Sequence, residues 1–367
     1  MKKEKIKNKL LGLEAIRFIS AFSILIWHYQ HFLFFEDKAV NFSPNLQPFY
    51  SYLEFFYHWG LYGVNIFWCV SGFIFFWKYK NLILEKKISG KNFFLLRFSR
   101  LYPLHFVTLL IVAVLQTIYF KTNGVFFVYQ FNDLYHFILQ IFFISDWGFE
   151  DGLSFNGVIW SISMEILVYL FFFLTLKYIV KSRSIIVNFL IIIFSLIILY
   201  TENFQNVLNY SQVVDCLCLF YAGGIAASFY EKFKNEKKTI IVLLILSFTI
   251  PFLVNIFELY KLNNWLTVFL LIYVPICLIL FANIKIQSGY LTQILKALGN
   301  LTYSSYLVHV PIQLIIILIL SQLNIEIPFY SNYFLIFYLT FVLIISRFVF
   351  CYYEKPMQNK IRNYFLN

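Results

Sequence analysis

Two residues in one apolar stretch draw the first attention. Arg17 and His28 stand eleven residues apart in a run from Leu10 to Phe35. Eleven residues are about three helical turns, so both lie on nearly the same face, roughly 16 Å apart along the axis. One face thus carries a fixed cation toward one end and a titratable base toward the other. Glu14, three residues before Arg17, shares that half. Ionisable groups inside an apolar helix cost about 2.5–3.5 kcal/mol each on insertion scales, which points to function at such positions.

Other polar residues interrupt apolar runs at intervals. Arg97 and Arg100, three apart in Arg97-Phe98-Ser99-Arg100-Leu101-Tyr102-Pro103, share a helix face. They are either ordinary loop charge or a fork for phosphate or diphosphate. Trp160-Ser161-Ile162-Ser163-Met164-Glu165 opens a further run and places Glu165 within it. A carboxylate at that depth needs a partner, from His28 or from loop backbone. His309 lies inside Tyr303-Ser304-Ser305-Tyr306-Leu307-Val308-His309-Val310-Pro311, ahead of a helix-perturbing proline. Arg347 and Glu354 are seven apart, two turns on one face, a spacing that allows them to pair in a purely structural role. Asp215 stands in another run without evident use.

The elements that must hold these residues follow from composition. The 367 residues are 61% hydrophobic and only 13% charged, with a mean hydropathy of +0.74. A soluble domain carries about a quarter charged residues. A membrane span needs roughly 20 apolar residues. The runs predict an all-α polytopic transmembrane bundle of about ten spans, at 11–33, 59–79, 101–120, 158–177, 184–200, 212–230, 239–257, 264–283, 301–321 and 332–353. The segment 134–145 is apolar but short, and is expected as an interfacial or partly re-entrant helix.

The net charge of +11 is distributed as topology. Cations cluster in alternate connections: Lys78 to Arg100, then Lys177, Lys181 and Arg183, then Lys232 to Lys238, then Lys285 and Lys296, and the tail with Lys355, Lys360 and Arg362. The intervening connections hold Lys38, Lys121 and Lys261. This bias places both termini in the cytoplasm and argues against nucleic-acid binding. The basic Met1–Lys9 segment precedes a run too long for a cleaved leader, which predicts a retained first span. Cys69, Cys216, Cys218, Cys277 and Cys351 all sit in apolar runs, with neither a disulfide framework nor a metal-ligand spacing. No Walker A, GxSxG or HExxH pattern occurs. In the second span, Gly63 to Gly72 supplies small residues suited to close helix packing.

These blocks together resemble the acyltransferase-3 family of integral membrane acyltransferases. Leu13-Glu14-Ala15-Ile16-Arg17 followed by His28-Tyr29 is similar to its first-span signature. GVNIFWCVSGF at Gly63–Phe73 is similar to GVxxFFxLSGF, with Asn65 where an acidic residue is common and Trp68 and Cys69 replacing apolar residues. Arg97–Pro103 resembles R-x-x-R-[IL]-x-P, and Trp160–Glu165 resembles WSLSxE. Leu298–His309 resembles LGxxSYxxYLxH, and Glu354-Lys355-Pro356 the closing E-[RK]-P.

The resemblance implies a single transmembrane acyltransferase domain over 1–367 in the cytoplasmic membrane, with no appended soluble domain. It implies transfer of an acyl group, most often acetyl from acetyl-CoA, to a hydroxyl of a surface glycan or its lipid-linked precursor, without a metal. Under it, His28, Arg17 and Glu165 are the catalytic candidates. Arg97, Arg100 and Arg17 are the candidates for CoA. Trp160, Ser163, Tyr306 and His309 are the candidates for the acceptor. His28 acts either as base or as transient acyl carrier. A glycan or lipid transporter, with Arg17 and His28 lining the path, is the alternative, and CoA dependence separates the two.

Overall fold

The computed structural model describes residues 10–179, 184–200, 211–234, 236–261 and 265–366. The basic Met1–Lys9 segment and two of the loop cations, Lys181 and Arg183, lie outside them. The described chain is almost wholly helical. Its helices are α1 (Leu11–His28), α2 (Tyr50–Trp59), α3 (Gly63–Leu84), α4 (Gly90–Asn123), α5 (Leu134–Ile141), α6 (Trp160–Leu174) and α7 (Ser184–Tyr200). They continue with α8 (Ser211–Phe233), α9 (Lys237–Ile256), α10 (Trp265–Asn283), α11 (Gly289–Gln322), α12 (Asn332–Val349) and α13 (Lys355–Leu366). Two short antiparallel strands, Phe34–Phe35 and Lys38–Ala39, form a hairpin after α1.

Nine helical segments among the described residues are long and apolar enough to cross a bilayer. They coincide with nine of the ten expected spans. The fifth, 184–200, is α7, whose apolar stretch is shorter (Ile185–Ile198). Several helices outrun the expected boundaries. α4 and α11 each have 34 residues, about 51 Å at 1.5 Å per residue, well beyond a hydrocarbon core of about 30 Å. Their polar ends continue as helix outside the apolar zone, where hydropathy no longer marks them. The expected span at 59–79 lengthens for the same reason into a helical segment from Tyr50 to Leu84. The segment at 134–145 forms only the eight-residue α5, far short of a span, capped at its N-terminus by the Asp133 side chain.

The chain divides into two compact units. The first comprises Met1–Phe18, Val64–Ser89 and Leu167–Gly299. Here glycine does what the sequence indicates. A Cβ on Gly72 would lie 1.8 Å from the Phe220 carbonyl oxygen, and one on Gly223 would lie 2.0 Å from that of Cys69. α3 and α8 therefore meet backbone to backbone at reciprocal glycines, the close approach that small residues permit in lipid. Glu14 and Arg17 pair at 3.1 Å, and the Glu14 carboxylate fills the space a Cβ on Gly299 would occupy. α9 is largely uncovered by the rest of its unit, with Phe248 and Phe252 exposed. Apart from the bond that Pro251 removes, the helical backbone meets its own hydrogen bonds, as a hydrocarbon surrounding requires.

The second unit comprises Ile19–Gly63, Gly90–Ile166 and Asn300–Asn367. α13 packs on the basic start of α4. A small apolar cluster of Leu109, Val112 and Phe155 seats α5 through Phe137 and Ile141. A π-turn at Phe350–Glu354 separates α12 from α13 and corrects the pairing of Arg347 with Glu354 that their spacing allows. Glu354 turns inward and accepts a hydrogen bond from Ser304 Oγ at 2.5 Å, while Arg347 stays exposed. The wider turn breaks the seven-residue register on which that pairing depended.

Candidate active site

Every candidate residue except Arg17 falls within the second unit. His28 is the last residue of α1 and is buried. Its Nδ1 lies 3.0 Å from the carbonyl of Ile24. A carbonyl only accepts, so Nδ1 carries the proton and Nε2 is left with its lone pair. The helix thereby fixes the tautomer of the neutral ring, with Nε2 as its basic nitrogen.

The ring of His309 sits 4.9 Å from that of His28. The same logic orients it. Its Nδ1 donates to the Ser305 carbonyl at 3.2 Å, and its buried Nε2 has no hydrogen-bonding partner among the described residues. A third imidazole, His31, lies 4.8 Å from His28 in the 3-10 turn that follows α1. Gln313, one turn beyond His309, donates from Nε2 to the His28 carbonyl at 2.8 Å. Trp27 packs edge-on against both His28 and His31, with ring centroids at 4.9 and 6.0 Å.

Sequence reasoning found His28 and His309 but missed His31 and Gln313. Spacing offers a signal for both. His31 follows His28 by three residues, and Gln313 follows His309 by four, so each continues a face already marked.

Pro311 also has a structural consequence. A proline inside a helix removes the hydrogen bond to the carbonyl four residues earlier, which here is Leu307. Asn156 fills that vacancy, donating from Nδ2 to Leu307 O at 3.0 Å. The buried Asn156 thus ties the turn before α6 to the bend beside His309.

The remaining candidates group differently from the expectation. Tyr306 donates to Val158 O at 2.8 Å and lies 2.7 Å from Ser161 Oγ. Ser163 Oγ donates to Phe143 O at 2.7 Å, and Trp147 Nε1 donates to Ser163 O at 2.9 Å. Ser163 thereby anchors the loop after α5 onto α6. Trp160 is half-buried at the start of α6. Glu165 lies with Arg100 and Glu354 within electrostatic reach of Tyr303. The titratable neighbours that act on His28 are His31 and His309.

Arg97 and Arg100 are half-buried on α4. A third guanidinium joins them from the tail. Arg362 on α13 donates from Nε to Ser99 Oγ at 3.0 Å and from Nη2 to Leu96 O at 3.2 Å. Arg362 is thus anchored on the turn of α4 that carries Arg97 and Arg100, and arginines grouped on one turn suit phosphate groups. Arg17, in the first unit, is engaged by Glu14.

Outside the spans, the 124–156 connection is tightly bonded. His136 Nδ1 lies 2.9 Å from Asp133 Oδ1, and the Asp151 amide donates to His136 Nε2 at 3.1 Å. The His136 amide and ring beside Asp133 hold its carboxyl below the usual carboxylate range. Asp146 behaves oppositely: burial, with Glu150 nearby, pushes its carboxyl up to about 7.

Together these features define a multi-pass membrane protein with a buried imidazole cluster in one unit and a basic turn on the same unit. The chain matches the family model described as an acyltransferase domain over residues 10–352. It therefore belongs to the acyltransferase-3 family and is a membrane acyltransferase. No curated protein and no solved structure matches it.

Proposed function

We propose that this acyltransferase moves an acyl group, acetyl in the first instance, from cytoplasmic acyl-CoA to a hydroxyl of a cell-surface glycan or its lipid-linked precursor. Both termini lie in the cytoplasm in this reading, and the membrane is the cell membrane. The observation that carries it is the fixed tautomer of His28. Its Nδ1 is committed to Ile24 O, so Nε2 is available to take a proton from a hydroxyl.

The chemistry then balances without a further group. The acceptor hydroxyl gives its proton to His28 Nε2 while its oxygen attacks the thioester carbonyl. The tetrahedral species collapses, the carbon–sulfur bond breaks, and the thiolate of CoA takes the proton back from the imidazolium. General acid–base catalysis of this kind contributes about 10²–10⁴-fold. Arg97 and Arg100, with Arg362 beside them, hold the phosphates of CoA. Tyr306 and His309 meet the acceptor, Trp160 and Ser163 shape the same wall, and Glu165 balances the charge of Arg100.

The test uses the purified full-length chain in proteoliposomes. Radiolabelled acetyl-CoA is supplied on one side, and label is followed into a surface polysaccharide extract. Labelling that needs acetyl-CoA and falls about tenfold or more in Arg97→Gln/Arg100→Gln supports the reading. Label that never leaves CoA, for acetyl or for longer acyl thioesters, removes it and moves transport ahead.

A further inference from the structure

The imidazole cluster has an unusual polarity of hydrogen bonding. Three of its four side chains have been turned by a neighbouring backbone carbonyl. His28 Nδ1 faces Ile24 O, His309 Nδ1 faces Ser305 O, and Gln313 Nε2 faces His28 O. In every case one N–H is committed to a carbonyl and an acceptor remains on the same side chain. His309 Nε2 and Gln313 Oε1 are buried without a partner among the described residues, and so is His31 Nδ1. All four residues are at most 4% exposed. A buried polar atom left unmet costs about 1–3 kcal/mol, and several in one place, two of them acceptors, form a site rich in unmet acceptors. Gln116, equally buried in the same unit, shows the usual outcome. Its Nε2 donates to Phe127 O, and its Oε1 accepts from the Phe127 amide.

We propose that His28, His31, His309 and Gln313 form an acceptor-rich subsite that receives two or more hydroxyl groups of a neutral sugar, with Gln313 and His31 as specificity-determining residues. This rests on the acyl-transfer reading and specifies its acceptor. One hydroxyl faces His28 Nε2 and reacts. Neighbouring hydroxyls on the same ring donate to His309 Nε2, Gln313 Oε1 and His31. Lone pairs converging from several sides repel phosphates and carboxylates, so the subsite discriminates against anionic rings. Discrimination of this kind is strong because the wrong ligand leaves buried polar atoms unpaired.

The protein carries a reporter, since Trp27 touches both His28 and His31. Full-length protein in nanodiscs is titrated with methyl glycosides of neutral hexoses, the matching uronic acid, the matching amino sugar and inorganic phosphate. Tryptophan fluorescence is the readout, and Trp27→Phe identifies the signal. The neutral glycosides are expected to give a saturable, Trp27-dependent change. Gln313→Met and His31→Phe, each close in shape, weaken it about fivefold or more, a loss of about 1 kcal/mol. Gln116→Met leaves it unchanged. Equal binding by Gln313→Met and His31→Phe overturns the proposal. So does tighter binding of the uronic acid, the amino sugar or phosphate, or no binding by any neutral glycoside. Sugar binding requires no acyl transfer, so intact binding without transfer defeats only the earlier reading. Transfer with an unchanged acceptor KM in Gln313→Met defeats only this one.

Discussion

Gln116 and Gln313 are the same residue type at the same depth of burial, yet they differ in what their amides leave over. Gln116 gives both polar atoms to Phe127, and Gln313 gives one to the His28 carbonyl and keeps the other. The contrast extends to their surroundings. In the 124–156 connection His136 has both ring nitrogens engaged. In the cluster around His28, carbonyls orient His28, His309 and Gln313 and leave acceptors on His309 and Gln313 unmet. The first arrangement fixes the chain. The second holds hydrogen-bonding capacity for something the chain does not supply. Buried polar groups are ordinarily satisfied; single exceptions occur elsewhere in the described residues, as at Gln140 Oε1 and His105 Nδ1, but around His28 three of them belong to one group of neighbouring side chains.

The comparison can be broken by substitution. The largest stability effect is expected from Gln116→Met, which orphans the Phe127 N–H and C=O at about 1–3 kcal/mol each. Gln313→Met orphans only one carbonyl and should cost about half as much. The two rank oppositely in acceptor KM, which thermal melting and kinetics on one preparation would show. Next comes Asn156→Ala, which leaves Leu307 O without its donor beside Pro311 and should cost about 1–3 kcal/mol, read as a lower melting temperature. Asp133→Ala removes the cap of α5 and the partner of His136, at about 1 kcal/mol for the cap. Hydrogen exchange should rise in α5 while turnover per folded molecule holds.

The smallest effect concerns pH. The Asp146 carboxyl is raised to about 7 in the folded loop. A group raised in this way favours the fold when protonated. Loop stability is therefore greatest below the ordinary aspartate pKa and falls as pH rises through about 7. Asp146→Asn should flatten that slope in limited proteolysis of the 142–156 segment between pH 4 and 8.

Much of the fold was legible because lipid imposes a simple length rule. Nine apolar runs became helices of spanning length, and the short 134–145 run became α5. Polar helix was invisible to that rule. Tyr50–Trp59 contains Glu54 and His58, which dilute its hydropathy, and the ends of α4 and α11 are basic or polar. The site was legible at its charged and titratable members. His28 and His309 were singled out separately, but their contact joins residues 281 positions apart. No periodicity within a single span reports such a meeting. Gln313 and His31 passed unnoticed because uncharged or clustered polar residues in a span have ordinary structural uses. Their roles emerge only from which carbonyls orient them. Arg362 was read as tail charge, and the π-turn at Phe350–Glu354 redirects the segment that brings it to Ser99.

The most direct test compares the two buried histidine environments in one assay. Wild type, His28→Ala and His136→Ala are expressed in a host lacking surface-glycan acetylation. Membrane abundance is matched by immunoblot, and label from acetyl-CoA is followed into surface polysaccharide. The account predicts that His28→Ala reaches normal abundance and loses label by about 10²-fold or more, whereas His136→Ala loses abundance and keeps its activity per molecule. Full labelling by His28→Ala at matched abundance would contradict it.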